Sequence, residues 1–138
     1  MKILFICEGN MMRSQMAEAF YNEMTDTNDA ISAGTAAEEK PQPSPRAIQA
    51  MKEVGIAIEG NASTQLTDEM VEHADKIILF PTNYTPSHLP KLDKVEEWDV
   101  IDPGYHTDQG MPLVYEVRDE IKRRVEKLIE KTLFTLEY

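Results

Sequence analysis

The most restrictive feature of this sequence is a change of hydrophobic period close to its first residue. Residues 3–7, ILFIC, are apolar without alternation, which predicts a strand buried on both faces of a parallel sheet. From Ser14 onward the apolar residues recur at intervals of three and four, which predicts an amphipathic helix. The chain is therefore expected to begin with a strand that enters a helix through the loop from Cys7 to Arg13.

Helices and strands alternate along the rest of the chain. Ser44 and Pro45 are typical of the first positions of a helix, Thr67 is a second candidate cap, and apolar residues at helical spacing predict a long C-terminal helix. Further strands are predicted at 30–33, 76–80 and 95–101. This alternation predicts an α/β fold with a mainly parallel sheet and helices on both faces. Because ligands bind such folds beyond the carboxyl ends of the strands, the loops that begin at Cys7 and Asp102 should share one edge of the sheet.

Length and charge narrow the classes of protein further. A chain of 138 residues predicts a single domain over residues 1–138. The formal net charge of −11 argues against a nucleic-acid or anionic membrane partner, and no apolar run is long enough for a membrane span. The single cysteine, Cys7, cannot form an internal disulfide and is expected to be a free thiol in the cytoplasm.

The same counts argue against metal and nucleotide chemistry. Three scattered histidines, one cysteine and the absence of an HExxH pattern predict no metal site. Neither a GxxxxGK[ST] nor a GxGxxG loop is present, so no nucleotide cofactor is expected. The remaining candidate chemistry is that of one thiol.

The loop between the first strand and helix, CEGNMMRS, has the pattern CX5R[S/T]. Five intervening residues can curl so that successive N–H groups face one concavity at the positive end of the following helix, which suits a tetrahedral oxyanion. An arginine at the first helical turn can bind two anion oxygens, and together with the N–H groups it favours a thiolate. Glycine permits close backbone approach, and asparagine tolerates a left-handed turn. The sequence therefore predicts Cys7 as nucleophile, Ser14 as donor to its sulfur, and an anion site formed by Glu8, Gly9, Asn10, Met11, Met12 and Arg13.

A second candidate loop follows the strand predicted at 95–101. Thiolate attack on phosphorus needs a proton for the departing oxygen, and Asp102, held on a sharp turn by Pro103 and Gly104, is the candidate general acid. Tyr105 is placed to form an aromatic wall at the rim. Water would then cleave the thiophosphate intermediate with Asp102 acting as base.

These segments resemble a known family. CEGNMMRSQMAEAF after a buried strand, SAGT at 32–35 and WDVIDP at 98–103 are similar to the low-molecular-weight protein tyrosine phosphatases and to the thioredoxin-coupled arsenate reductases that share their fold. The resemblance covers almost the whole chain. It implies a four-stranded parallel sheet in the order 2-1-3-4 between two layers of helices. It also implies Cys7 as nucleophile, Arg13 as phosphate clamp, Asp102 as general acid and base, and Asn10, Ser14 and Ser32 as supports of the loop.

The departures from the family pattern leave three functions open. Met12 stands where the phosphatases usually carry a second cysteine, and no cysteine lies near residues 79–81, where the reductases carry their relay thiols. The leading hypothesis is a cysteine-dependent phosphomonoesterase acting on phosphotyrosine proteins or small aryl phosphates. The alternatives are an arsenate reductase that uses an external thiol and an inactive module that binds phosphate or phosphopeptides.

Overall fold

Four parallel strands form the sheet at the centre of the fold. The computed structural model describes residues 1–37 and 43–136. Its strands are β1 (Ile3–Cys7), β2 (Ala30–Gly34), β3 (Lys76–Leu79) and β4 (Val95–Glu97). They lie in the order β2-β1-β3-β4, and every neighbouring pair is parallel. The order implied by the family resemblance is confirmed.

Helices cover both faces of this sheet. They are α1 (Arg13–Thr25), α2 (Pro45–Lys52), α3 (Asp68–His73) and α4 (Gly110–Leu136), with short 3-10 turns at Leu89–Lys91, Pro103–Tyr105 and Thr107–Gln109. Among the helices described, none is long and apolar enough to cross a membrane. The α/β class, with helical layers on both sides of the sheet, is confirmed.

Strand β1 is buried on both faces, as its unbroken apolar sequence predicts. Ile3, Phe5 and Cys7 belong to the larger core, which β1 shares with α1, α2 and α4, whereas Leu4 and Ile6 belong to a smaller core. All five side chains are at most 3% exposed. Burial on both sides fixes the position of β1 in the sheet, and therefore of the loop that follows Cys7.

The last strand is shorter than predicted. It was expected over 95–101, but β4 ends at Glu97. Among the described strands β4 pairs only with β3, so the chain is free to leave the sheet at this edge. The Trp98 N–H still donates to the Leu79 carbonyl, and the Val100 N–H then donates to the Trp98 carbonyl. Residues 98–101 consequently turn across the carboxyl end of the sheet instead of extending it.

Two other boundaries differ from expectation. The strand expected over 76–80 ends at Leu79, although the Phe80 N–H still donates to Ile6. Ser44 does precede α2, with Pro45 at its first turn, but the Ser44 side chain makes no capping hydrogen bond. By contrast, Thr67 Oγ1 accepts from the Met70 N–H at 3.2 Å and caps α3 as predicted.

Candidate active site

Cys7 is the last residue of β1, and its side chain reaches a cavity at the carboxyl edge of the sheet. The residue is only 3% exposed, yet it lines a cleft of about 470 Å³. The Cys7 Sγ lies 3.0 Å from Ser14 Oγ, on the first turn of α1. The walls of the cleft are formed by residues from three segments, 8–13, 44–46 and 102–107: Glu8, Gly9, Met11, Met12, Arg13, Ser44, Pro45, Arg46, Asp102, Pro103, Gly104, Tyr105 and Thr107.

The backbone of the loop after Cys7 is curled in the way that its spacing predicts. Asn10 has a φ of 52°, in the left-handed region that asparagine tolerates. Within the described part of the chain, no acceptor takes a hydrogen bond from the backbone N–H groups of residues 9–12. The loop therefore keeps free donors next to the N-terminus of the 13-residue helix α1, an arrangement suited to an anion.

The Asn10 side chain is turned away from the cleft and orients Ser14. Asn10 Oδ1 accepts from the Thr64 N–H at 2.8 Å, so its Nδ2 must face the opposite side. There Nδ2 donates to Ser14 Oγ at 2.7 Å and to Ser32 Oγ at 2.9 Å. Because Ser14 Oγ already accepts from Asn10, its own hydrogen is available for the Cys7 sulfur.

Ser32 connects this network to Glu18. Its hydroxyl accepts from Asn10 and donates to Glu18 Oε1 at 3.2 Å. Burial raises the pKa of Glu18 above its ordinary value, while the hydrogen bonds from Ser32 act in the opposite direction. Ser14 and Ser32, both expected to support the loop, thus lie on one hydrogen-bonded chain that ends at the nucleophile.

A second set of hydrogen bonds, which the sequence did not predict, holds the loop on the side away from the cleft. Gln15, which is 1% exposed, donates from Nε2 to the carbonyls of Asn10 and Ala62, each at 3.1 Å. Ser63 Oγ also donates to the Asn10 carbonyl, at 3.2 Å. A polar residue at a position of α1 that faces the interior was the available signal, but its partner Ala62 is 47 residues away and cannot be identified from the local sequence pattern.

Gly34, the last residue of β2, packs closely against the backbone of the loop after Cys7. A Cβ on Gly34 would lie 2.5 Å from the Glu8 carbonyl oxygen and 2.9 Å from the Asn10 nitrogen. At Gly9, by contrast, a Cβ would meet only the Met11 side chain, at 3.7 Å. Close backbone packing within the protein is therefore found at Gly34, whereas Gly9 lines the cleft.

Arg13 and Asp102 meet at the floor of the cleft. Arg13 is 4% exposed; its NH1 donates to the Val100 carbonyl at 3.0 Å and its NH2 to Asp102 Oδ2 at 3.3 Å. The guanidinium carbon lies 5.5 Å from the centre of the Phe80 ring. The early end of β4 is what allows this meeting, because it brings Val100 and Asp102 back over the sheet edge.

Glu8 and Tyr105 form the rim of the cleft. The Tyr105 hydroxyl donates to Glu8 Oε2, and Thr82 Oγ1 donates to Glu8 Oε1 at 2.8 Å. The hydrogen bond to Glu8, together with desolvation and the charge of Glu8, raises the pKa of Tyr105 to about 12. The phenol therefore stays protonated, and remains a donor, throughout the neutral range.

The structure thus brings the predicted residues together around one cleft, with two qualifications. Asn10, Ser14 and Ser32 lie behind the cleft and do not line it. Glu8 presents a carboxylate at the rim, so neither the Asn10 side chain nor that of Glu8 is a donor to an anion. No group of three or more potential metal ligands is found among the described residues.

Comparisons with known proteins agree on the family. The family model for low molecular weight phosphotyrosine protein phosphatase matches residues 2–135. Arsenate reductase 1 of Staphylococcus haemolyticus is 34% identical, with 93% of this chain and 94% of the relative covered.

Solved structures of similar proteins include two phosphatases. The low molecular weight protein tyrosine phosphatase from T. tengcongensis is 30% identical, with a TM-score of 0.79 and coverage of 95% of this chain and 99% of that one. The YwlE arginine phosphatase from Geobacillus stearothermophilus is 27% identical, with a TM-score of 0.82 and coverage of 99% and 96%. The match extends over nearly the full length of each of these three proteins, and the chain is accordingly an enzyme of the low molecular weight phosphotyrosine protein phosphatase family.

Proposed function

We propose that this enzyme is a cysteine-dependent phosphomonoesterase that acts on phosphotyrosine or small aryl phosphates through a thiophosphate on Cys7. The observation that carries the proposal is that Cys7 and Arg13, at the two ends of one loop, line the same aromatic-rimmed cleft as Asp102, which comes from a distant turn. In this arrangement a nucleophile, an anion clamp and a proton donor can act on the same phosphoryl group.

In the first step the Cys7 thiolate attacks phosphorus, and the bond from phosphorus to the leaving oxygen breaks. Asp102, in its acid form, gives its proton to that oxygen, so the substrate leaves as a neutral phenol. The free N–H groups of the loop and the Arg13 guanidinium hold the three equatorial oxygens of the transferring group. Ser14 stabilises the sulfur as a leaving group for the second step by donating to it.

In the second step water attacks the thiophosphate. The Asp102 carboxylate takes a proton from that water, the bond from sulfur to phosphorus breaks, and inorganic phosphate is released. Arg13 must exchange its contact with Asp102 for contacts with the anion, whereas its bond to the Val100 carbonyl can persist.

The size and lining of the cleft favour an organic phosphate over a bare oxyanion. A volume of about 470 Å³ is far larger than one tetrahedral anion occupies, and its walls include Met11, Met12, Pro45 and Tyr105. Apolar and aromatic walls around a few polar groups are typical of sites for organic ligands. An aryl group attached to the phosphate would bury itself between these side chains.

Arsenate reduction is the second candidate, because relatives with that name are 34–36% identical to this chain. The chain holds one cysteine, so an arsenic adduct on Cys7 would have to be reduced by an external thiol. The reaction would use the same anion site and would leave the apolar walls without a role.

The test is a paired assay on one preparation, with wild type and Cys7→Ser side by side. Hydrolysis of p-nitrophenyl phosphate and phosphotyrosine is followed without added metal, and arsenate reduction is followed with a small thiol alone and with a thiol oxidoreductase. We expect aryl phosphate hydrolysis that disappears in Cys7→Ser. Hydrolysis that survives the substitution would refute the nucleophile; arsenate reduction without hydrolysis would favour the second candidate; phosphate binding with neither activity would indicate a binding module.

A further inference from the structure

The Glu8 carboxylate joins three loops at the mouth of the cleft. One oxygen accepts from Thr82, in the turn after β3, and the other accepts from Tyr105, which is 97 residues away in sequence. Thr82 is itself fixed, because its carbonyl accepts from Thr85 Oγ1 at 2.8 Å and its N–H donates to the same oxygen at 3.2 Å. Glu8 follows the nucleophile directly, so its contacts tie the loop of Cys7 to the opposite wall.

Asp102 and Tyr105 lie on one short turn. Asp102 Oδ1 accepts from the Gly104 N–H at 2.8 Å, and the Tyr105 N–H donates to the Asp102 carbonyl at 3.2 Å. These two hydrogen bonds within residues 102–105 fix the turn, so Asp102 and Tyr105 move together. Anchoring the Tyr105 hydroxyl therefore also anchors the Asp102 carboxyl.

Within the described residues, two side-chain hydrogen bonds join this turn to the loop after Cys7 and to Arg13, and a bound substrate would replace one of them. At the Asp102 end the anchor is the ion pair with Arg13, at 3.3 Å. When Arg13 turns to a bound phosphate, the hydrogen bond between Tyr105 and Glu8 is the anchor that remains. Donors on both Glu8 oxygens also hold its negative charge at the rim, away from the arriving anion.

We propose that Glu8 and Tyr105 form a latch, the hydrogen bond between their side chains, that positions Asp102 at the leaving oxygen of the substrate. This role deepens the proposed function and depends on it. Neither residue of the latch exchanges a proton with the substrate, and the hydrogen bond between them acts through Asp102. The latch should raise kcat/KM most for substrates with a weakly acidic leaving phenol, because such a phenol depends most on protonation by Asp102.

The test compares aryl phosphates whose leaving phenols range from acidic to weakly acidic, with kcat/KM measured for each. We expect Tyr105→Phe, which keeps the ring, to change kcat/KM for p-nitrophenyl phosphate by no more than about threefold and to lower it for phenyl phosphate about tenfold. Glu8→Ala should give the same pattern, and the double variant should be no worse than the poorer single variant, because both remove one contact. Glu8→Gln keeps acceptor oxygen and should lie closer to wild type.

Tyr115→Phe is the matched control. The Tyr115 hydroxyl also donates to an exposed carboxylate, that of Glu53, at 3.0 Å, but Tyr115 lies on α4 outside the cleft. Loss of this hydroxyl should therefore leave kcat/KM unchanged for every substrate. An equal loss on all substrates in Tyr105→Phe, or additive effects of the two single variants, would overturn the latch while leaving the proposed function intact. A wild type without aryl phosphatase activity would overturn both.

Discussion

Adding one methyl group at Gly34 tests whether catalysis depends on the conformation of the loop after Cys7. The new Cβ would lie 2.5 Å from the Glu8 carbonyl oxygen and 2.9 Å from the Gly9 carbonyl carbon. Gly34 cannot retreat, because its N–H donates to the Thr64 carbonyl and its carbonyl accepts from the Leu66 N–H, both at 2.8 Å. In Gly34→Ala the loop must therefore move, by about 0.5 Å if the shortest contact is to reach the 3.0 Å that real Cβ atoms respect.

The cost follows from two opposing effects. Overpacking costs about 1–3 kcal/mol, and the reduced freedom of the unfolded chain offsets about 0.4–1 kcal/mol of it. We expect the free energy of unfolding to fall by about 1–2 kcal/mol, with Tm lower by roughly 3–8 °C for a chain of this size. A loop displaced by part of an ångström should lower kcat/KM by about 10–100-fold.

Denaturant unfolding and hydrolysis of p-nitrophenyl phosphate measure the two effects. Gly60→Ala is the control, since a Cβ at Gly60 meets nothing within 4 Å and should be neutral or slightly stabilising. If Gly34→Ala kept the stability and the kcat/KM of the wild type, the predicted clash between residue 34 and the loop would be refuted. Equal damage in Gly60→Ala would show that the loss has another origin.

Three further outcomes are expected. Asp102→Asn should lower kcat/KM for phenyl phosphate by about 10²–10⁴-fold while phosphate binding, measured by calorimetry, changes little; an unchanged rate would place the acid elsewhere. Ser14→Ala removes the hydroxyl 3.0 Å from the sulfur and should slow breakdown of the thiophosphate about tenfold in quenched-flow measurements, and equal rates would contradict its role. Burial raises the pKa of Glu18 above 4.5, so its ionisation lowers the free energy of unfolding as the pH rises above 4.5. Between pH 4.5 and pH 7, the free energy of urea unfolding should therefore fall less in Glu18→Gln than in the wild type. A difference between the two proteins that does not change with pH would contradict this.

The central part of the fold and the nucleophile loop could be predicted because their signals are local. An unbroken apolar strand, a loop of fixed spacing and a helical period lie within 25 residues of each other, and the structure has β1 and α1 there. The left-handed conformation of Asn10 could be predicted from its residue type within this tight loop, because few residues other than glycine and asparagine tolerate that conformation.

What could not be predicted depends on contacts between distant segments. The end of β4 is set by its edge position and by Arg13 bonding to Val100, 87 residues along the chain. The need for glycine at position 34 arises from the Glu8 carbonyl, and the burial of Gln15 from a carbonyl at position 62. A hydrophobic pattern holds no information on these pairings, since each becomes visible only once the sheet order has placed the loops side by side.

The most direct measurement of the central claim is to trap the covalent intermediate. Asp102→Asn, which lacks the base for the second step, is mixed with an aryl phosphate, quenched during turnover and analysed by peptide mass spectrometry. We expect one phosphoryl group on the sulfur of Cys7, absent in Cys7→Ser. Phosphate on any other residue, or hydrolysis by the wild type with Cys7 never modified, would contradict it.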